Sequence, residues 1–473
     1  MMSLGARSFP DMGFAQSIFD RLKPWKVALR SLRHRNYRLF FAGQGVSLIG
    51  TWMQTTALAW LVYQKTRSMK MLGIVAFATA VPSLLITPLA GVISDRVNRR
   101  PILIITQTLA MIQAFVLAAL VFTNTLQVWH IVALGIFLGL TVAFDMPTRQ
   151  AFVVEMIDDR RDLSNAIALN SLMFNSARFI GPAIAGPVIK LFGEGPVFAA
   201  NGLSYIAVIA SYFAMKMHPK PPRRAGARVL AELREGVVYV FTHRGIRSIL
   251  LLLSLMSLIA MPYGTLMPVF ARDILHGDVN TYGWLLTCVG LGAIVGSVHM
   301  ASRKDVKGFG RKILFAAAAM GVALVLFSQS RFFWLSSALL VVMGFCAIVQ
   351  MASCNTVVQT LVPDDKRGRV MGLYGLCFLG VAPFGSLLIG WVAERIGAPV
   401  TVLFGGFASL LAVAFLASKL VSIDRMVHPM ESVAGVPEEI ADGLRASTGV
   451  PAEPPGGSKP HTHHHHRSPG KEH

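Results

Sequence analysis

Twelve apolar runs, each long enough to cross a bilayer, are strung along this chain between short connections that carry most of its charge. A span needs roughly 20 apolar residues to cover about 30 Å of hydrocarbon. The runs lie near 37–63, 71–94, 101–122, 128–148, 164–190 and 196–217, then near 246–270, 280–301, 312–330, 332–357, 370–394 and 398–420. Backbone amides in hydrocarbon must be bonded within their own segment, and runs of this length are too long for barrel strands. The pattern predicts an all-α membrane protein with twelve transmembrane helices. A chain of 54% hydrophobic and 14% charged residues cannot clothe the roughly three soluble domains its length would otherwise make.

An even number of spans puts both termini on one side, and charge says which. With the termini in the cytoplasm, inner segments hold 36 of the 44 Lys and Arg, outer connections hold 7, and Arg178 falls inside a span. The positive-inside rule therefore places both termini in the cytoplasm. The same banding argues against nucleic acid as the partner of a +20 chain and for anionic lipid headgroups. No cleavable signal is visible. Residues 1–36 mix Arg21, Lys23, Lys26 and Arg30 with Phe19, Leu22, Trp25 and Val27, a pattern that predicts an interfacial segment on the inner leaflet. Cys288, Cys346, Cys354 and Cys377 fall within spans without metal-type spacing and read as small apolar fillers.

The longest internal break, 218–245, opens on His218-Pro219-Lys220-Pro221-Pro222-Arg223-Arg224 and divides six spans from six. Asp158-Asp159-Arg160-Arg161 after the fourth span recurs as Asp364-Asp365-Lys366-Arg367 after the tenth. The expected organisation is an N-terminal bundle over 37–217, a basic amphipathic linker over 218–245, a C-terminal bundle over 246–420 and a disordered cytoplasmic tail over 421–473. Parallel six-helix repeats suit a rocking-bundle transporter with its substrate site near the midplane. The tail holds His461, His463, His464, His465, His466 and His473, readable as a metal-binding cluster or as a solvated or engineered run.

The most specific motif is Gly91-x-x-x-Asp95-Arg96-x-x-Arg99-Arg100 between the second and third spans. It resembles the signature loop of the major facilitator superfamily, with Asn98 where the fuller form has a second Gly; Asn is among the residues that best tolerate the left-handed backbone expected there. The resemblance implies that Asp95 and Arg99 pair with an acid at the inner end of the fourth span, by position Asp145, to lock one conformation. Gly91 is expected to allow a close helix approach. The plainer reading is a set of topogenic charges, which would not need Asp95 or Asp145. The second half keeps a faded copy, with Met300 four positions after Gly296. Gly181-Pro182-Ala183-Ile184-Ala185-Gly186-Pro187 in the fifth span resembles a motif of drug:proton antiporters in this superfamily. Its prolines and small residues suit a moving interface or ordinary tight packing. Gly135-x-x-x-Gly139 and Gly292-x-x-x-Gly296 read as helix contacts.

Arg178 lies fourteen residues into the span that begins near Ser164, about 21 Å in at roughly 1.5 Å per residue. A charge at that depth costs from ~3 to more than 10 kcal/mol on an isolated helix and needs water, a partner or a ligand. No Asp or Glu stands deep in any span to pair with it. Asn170, Ser171, Phe174 and Asn175 share its face. Gln44, Ser47, Thr51 and Gln54 form a similar stripe on the first span, and Gln350, Ser353 and Asn355 add polar groups on the tenth. Arg178 reads either as an attractor for an anionic group or as an internal strut.

Asp145 to Phe152 and Val362 to Gly372 narrow the resemblance to the bacterial enterobactin-exporter-like branch. The resemblance implies a monomeric inner-membrane exporter of siderophores, drugs or other amphipathic small molecules, working by alternating access with no bound cofactor. A proton gradient is implied as the drive by resemblance alone, since no midplane carboxylate supports it; Asp145 and Asp273 read as structural. The alternatives are an uncoupled facilitator of a lysolipid-like substrate, an uptake permease, and a non-transporting receptor or scaffold. No Gly-x-x-x-x-Gly-Lys-Ser/Thr loop or nucleophile constellation supports an enzyme.

Overall fold

Apolar runs bounded by capping residues become helices where the sequence places them. The computed structural model describes residues 29–216, 229–302 and 308–433. The first half holds α1 (Arg35–Thr66), α2 (Met69–Arg96), α3 (Arg99–Phe122), α4 (Val128–Glu155), α5 (Leu163–Phe192) and α6 (Gly195–Ala214). A linker helix, α7 (Val229–Thr242), leads to the second half. There α8 (Arg244–Ile274) is regular to Leu255 and then winds through π and 3-10 turns around Pro262 and Pro268. It is followed by α9 (Val279–Ala301), α10 (Phe309–Gln329) and α11 (Phe333–Leu361). The twelfth element, α12, starts at Asp364, passes a π turn at Leu376–Gly380 and resumes as Ala382–Ile396. The last is α13 (Ala398–Val433).

Among the described residues, eleven helices meet the length and hydropathy of a membrane span. The twelfth span is α1, 32 residues long but more polar, because its amides and hydroxyls bond inside the first bundle. Gln54 Nε2 donates to Gln113 Oε1 of α3 at 3.0 Å, and Asn201 Nδ2 of α6 donates to Gln54 Oε1 at 2.8 Å. Such interhelical bonds are how polar side chains are kept in lipid. Helix starts are capped as their sequences suggest: Ser68 accepts from the Met71 amide and Asp278 from the amides of Asn280 and Thr281.

Glycines set the helix spacing within each half. A side chain at Gly135 or Gly139 of α4 would strike Thr79 of α2; at Gly292 or Gly296 of α9 it would strike Val341 or Phe345 of α11. These are the contacts the Gly-x-x-x-Gly spacing predicts. Several boundaries differ from the sequence reading. The last helix continues past 420 to Val433, and within the 218–245 linker residues 229–242 are helical. Residues 1–28 and 434–473, with most of the interfacial segment and the histidine-rich tail, lie outside the described residues.

The segment before α1 is a 3-10 turn, Arg30–Arg33, docked on the loop after α4. Ser31 Oγ donates to the Asp162 carbonyl at 2.8 Å, and Asp162, 1% exposed, receives Arg30, Arg33 and His34. Burial opposes ionisation of that carboxyl, but the His34 hydrogen bond and the two guanidiniums together outweigh it and hold the group below its ordinary range.

Replacing Gly139 with Ala forces α2 and α4 apart and should lower stability by roughly 1–3 kcal/mol. Gly91→Ala, where an added Cβ meets nothing within 4 Å, should leave stability unchanged or raise it slightly. Thermal unfolding of the two purified variants beside the parent checks the contrast.

Candidate functional site

The two halves touch along two helix pairs that the internal repeat makes equivalent, α5 against α9 and α2 against α12. Among the described residues, the polar ties between halves cluster toward the end remote from Arg35, here the distal end. Lys190 of α5 pairs with Asp278 at the start of α9 at 2.7 Å. Tyr63 of α1 donates to Asp273, with Arg67 3.8 Å from the same carboxylate. Glu394 of α12 accepts from the amides of Met69 and Lys70 at 2.6 and 3.1 Å, capping α2 from the opposite half. Trp60 stacks on Tyr282 with ring centroids 5.7 Å apart. Below these ties the backbones meet directly. A Cβ on Gly73 would come within 2.6 Å of the Ser386 carbonyl, and one on Gly283 within 2.6 Å of the Pro182 carbonyl.

Gly181 and Gly186 both stand at close helix contacts. Gly181 faces Trp52 and the Ile49 carbonyl of α1, while Gly186 faces Asn280 and Val279 of α9. Proline 182 lacks the amide that would bond the Arg178 carbonyl, so the helix is weakened at the level where the halves begin to part. The last close contacts toward the proximal end are Phe384 on Phe77, Gly380 near Leu84 and Gly290 against Phe179. Beyond them Leu85, Leu89, Phe174 and Leu379 are exposed, Leu85 by 68%. Gly91 of α2 and Gly368, Gly372 and Gly375 of α12 have nothing within 4 Å of an added Cβ. Among the described residues the expected close approach at Gly91 is therefore absent in this structure, and the contacts between halves lie toward the distal end and the middle.

The signature loop is built differently from its expected pairing. Arg99 bonds Glu155 at the end of α4, not Asp145. Asp145 is buried and accepts from Thr106 Oγ1 at 3.0 Å and Gln107 Nε2 at 2.7 Å of α3, with Arg149 Nε at 3.5 Å. The reason is reach along the helix: Glu155 stands at the mouth beside Arg99, whereas Asp145 is almost three turns deeper. Asn98 has φ −60° and is not left-handed; it caps α3 by accepting from the Arg100 amide at 3.1 Å. Arg96 is exposed, and Arg100 donates to the Phe213 carbonyl at 3.0 Å. The Asp95 side chain is outside the described set.

Arg178 stands where the halves separate. Its guanidinium lies 5.6 Å from the Trp52 ring centroid. Phe174 meets Trp52 edge-on at 5.8 Å. Among the described residues no carboxylate is within ion-pair distance of Arg178. Asn170 and Asn175 are partly exposed on the same helix, and Thr51 Oγ1 donates to the Ser47 carbonyl while approaching Tyr205 Oη at 3.5 Å. The other amides sit differently. Gln54 is bonded within the first bundle, Gln44 and Gln350 are buried at 3% and 2% exposure, and Asn355 pairs with Gln359 one turn on. Period-3.6 polar stripes do not distinguish a cavity face from a bundle-internal face. Asp273, read from the sequence as structural, takes part in the distal tie, while the pairing of Lys190 with Asp278 and the roles of Glu155 and Glu394 were not anticipated, although Asp278 followed by Asn280 and Thr281 is a legible N-cap.

Comparison with known proteins matches residues 26–446 to the family described as transmembrane secretion effector. The chain belongs to this family of the major facilitator superfamily. The transporter is 25% identical to the staphyloferrin A transporter of Staphylococcus aureus, over 79% of this chain and 93% of that one. It is also 25% identical to the multidrug efflux pump Tap of Mycolicibacterium fortuitum, over 82% and 95%. Macrolide efflux protein A of Streptococcus pyogenes is 24% identical over 77% and 92%. Among solved structures, the nucleoside transporter NupG superposes with TM-score 0.63 at 12% identity, over 81% of this chain and 98% of that one. A bacterial homologue of the lysosomal transporter Spinster gives 0.61 at 12%, over 83% and 97%. These two establish the fold. The chain is thus a multi-pass secondary transporter that exports small molecules, and not an enzyme.

Acid should loosen the distal closure. Burial opposes ionisation of Asp278, but Lys190 and the amides of Thr281 and Asn280 outweigh it and hold the carboxyl below its ordinary range. Its tie to Lys190 is complete above that ordinary range and is lost as pH falls through the lowered value. A cysteine at Ala185, buried in this state, should react faster with an impermeant thiol reagent as pH falls, and Asp278→Asn should give the fast rate already at neutral pH.

Proposed function

We propose that this transporter exports small amphipathic molecules bearing an anionic group, by alternating access between the distally closed state seen here and a proximally closed one. The observation that carries the proposal is the asymmetry of the inter-half contacts. Among the described residues, the ion pairs and close glycine contacts between halves are distal or central, while added side chains at Gly91 on α2 and at Gly368, Gly372 and Gly375 on α12 would meet nothing within 4 Å. In the second state those glycines close against one another, and Asp95, Arg96, Arg99 and Arg100 meet the start of α12. The proximal end is cytoplasmic on this reading, supported by the Lys and Arg count of the inner segments. The opening seen here then loads cargo from the cell interior, the direction export requires.

Arg178, cushioned on Trp52 and lacking a carboxylate partner, offers a cation in a low-dielectric crevice beside Phe174. That chemistry takes an anionic group joined to an apolar or aromatic body. The relatives agree in kind, one named for a siderophore and two for efflux of drugs. Asn170, Asn175 and Thr51 line the same region. The transporter works as a monomer, each copy containing both halves of its pathway.

Flux in proteoliposomes tests the roles. Asp95→Asn should slow turnover of every cargo several-fold, because it removes charge from the proximal closure. Arg178→Ala should raise the half-saturating concentration of anionic cargo and spare neutral cargo. Full activity of both variants on all cargo contradicts the assignment. An imposed pH gradient that accelerates flux marks proton antiport; flux indifferent to it marks facilitation.

A further inference from the structure

Each half of the molecule is entered by the same short sequence and carries the same acid–base loop. His34-Arg35-x-x-Arg38 leads into α1, and His243-Arg244-x-x-Arg247 leads into α8. The loop Asp158-Asp159-Arg160-Arg161 follows α4, and Asp364-Asp365-Lys366-Arg367 follows α11. In both halves the entering segment docks on the loop. In the first, Arg30 to His34 lie on Asp158, Asp159 and Asp162. In the second, α7 and His243 lie along the start of α12. Arg369 pairs with Glu235 at 2.6 Å, the Lys366 ammonium is 4.9 Å from the Tyr239 ring centroid, and His243 stacks on Tyr239 at 3.9 Å.

The two docks differ in one acid. Asp162, four residues after Asp158, is sealed from solvent and gathers Arg30, Arg33 and His34. The residue four after Asp364 is Gly368, and a side chain there would meet nothing. In the second half Arg234, Lys366, Arg369 and His243 line an open cleft of about 650 Å³. Its one acidic lining residue, Glu235, already serves Arg369, and Asp365 nearby is exposed. Beside the cleft α7 exposes Val237, Val238 and Phe241, the last by 63%. A cationic cleft flanked by apolar side chains at a membrane edge matches a molecule with an anionic head and an apolar tail.

We propose that the cleft between α7 and the start of α12 binds the headgroup of an anionic phospholipid, whose phosphate supplies the negative charge that Asp162 supplies in the first half. The acyl chains lie along Val237, Val238 and Phe241. The lipid joins the linker between the halves to α12, the helix that meets α2 across the crevice through Phe384 and Gly380. This site is separate from the cargo pathway and stands whatever the cargo is.

The test uses the full chain in nanodiscs of phosphatidylcholine alone or mixed with phosphatidylglycerol, reading thermal unfolding and the phosphatidylglycerol retained on extraction. The parent should be stabilised by phosphatidylglycerol and retain it. Lys366→Gln should weaken retention about fivefold, the worth of one surface cation. Lys366→Glu places a carboxylate in the cleft itself; it should retain no phosphatidylglycerol and gain no stability from it. Equal stabilisation of all three chains by phosphatidylglycerol overturns the proposal. So does inorganic phosphate reproducing the full effect in phosphatidylcholine, which would make the ligand a soluble anion.

Discussion

Backbone-to-backbone contact between α5 and α9, and between α2 and α12, is the constraint on which the rest of this structure depends. In lipid no hydrophobic gain drives helices together, so close packing of small residues and a few polar bonds must hold the halves. Gly73, Gly186, Gly283 and Gly390 allow that approach at the distal end. The contact is short along the helix axes, and the ion pairs that reinforce it are confined to the same end. A joint of this shape resists separation distally while leaving each half free to tilt about it.

The electrostatics follow the same plan. Some charges pair away from the contact between halves: Arg99 with Glu155 and Arg149 with Asp145 in the first half, and Arg369 with Glu235 of the linker helix. Others tie the halves to each other: Lys190 with Asp278, and Glu394 with the start of α2. The latter sit at helix termini on the surface, where water can take over their bonds when they part and the cost of separation is small. Arg178 belongs to neither class, since it lies at the fork where contact ends.

The spans were legible because hydrocarbon leaves a backbone no alternative to the helix, and the Gly-x-x-x-Gly pairs because only backbone contact needs them. The fold class and the transporter family followed from those runs and from the Gly91 to Arg100 loop. The site was legible in part. Gly186 packs against α9 of the other half, Gly181 against α1 of its own, and Arg178 lies beside Trp52. Gln44, Gln54 and Gln350 read the same way on a helical wheel yet are buried, because polarity alone does not say whether a stripe meets water or another helix's amide. The partner of Arg99 was misplaced for a related reason: sequence gives the acids on α4 but not which of them the loop can reach. Gly91 has nothing within 4 Å of an added Cβ in this structure.

Spin-label distances in bilayers address the central claim directly, with one pair at Val97 and Asp365 across the proximal end and another at Lys65 and Arg395 across the distal end. Lys190→Ala cuts a distal tie and should lengthen the distal distance while shortening the proximal one, the two populations exchanging in proportion. Distances that lengthen together, or a proximal pair that never shortens, would contradict a molecule that opens to one side at a time.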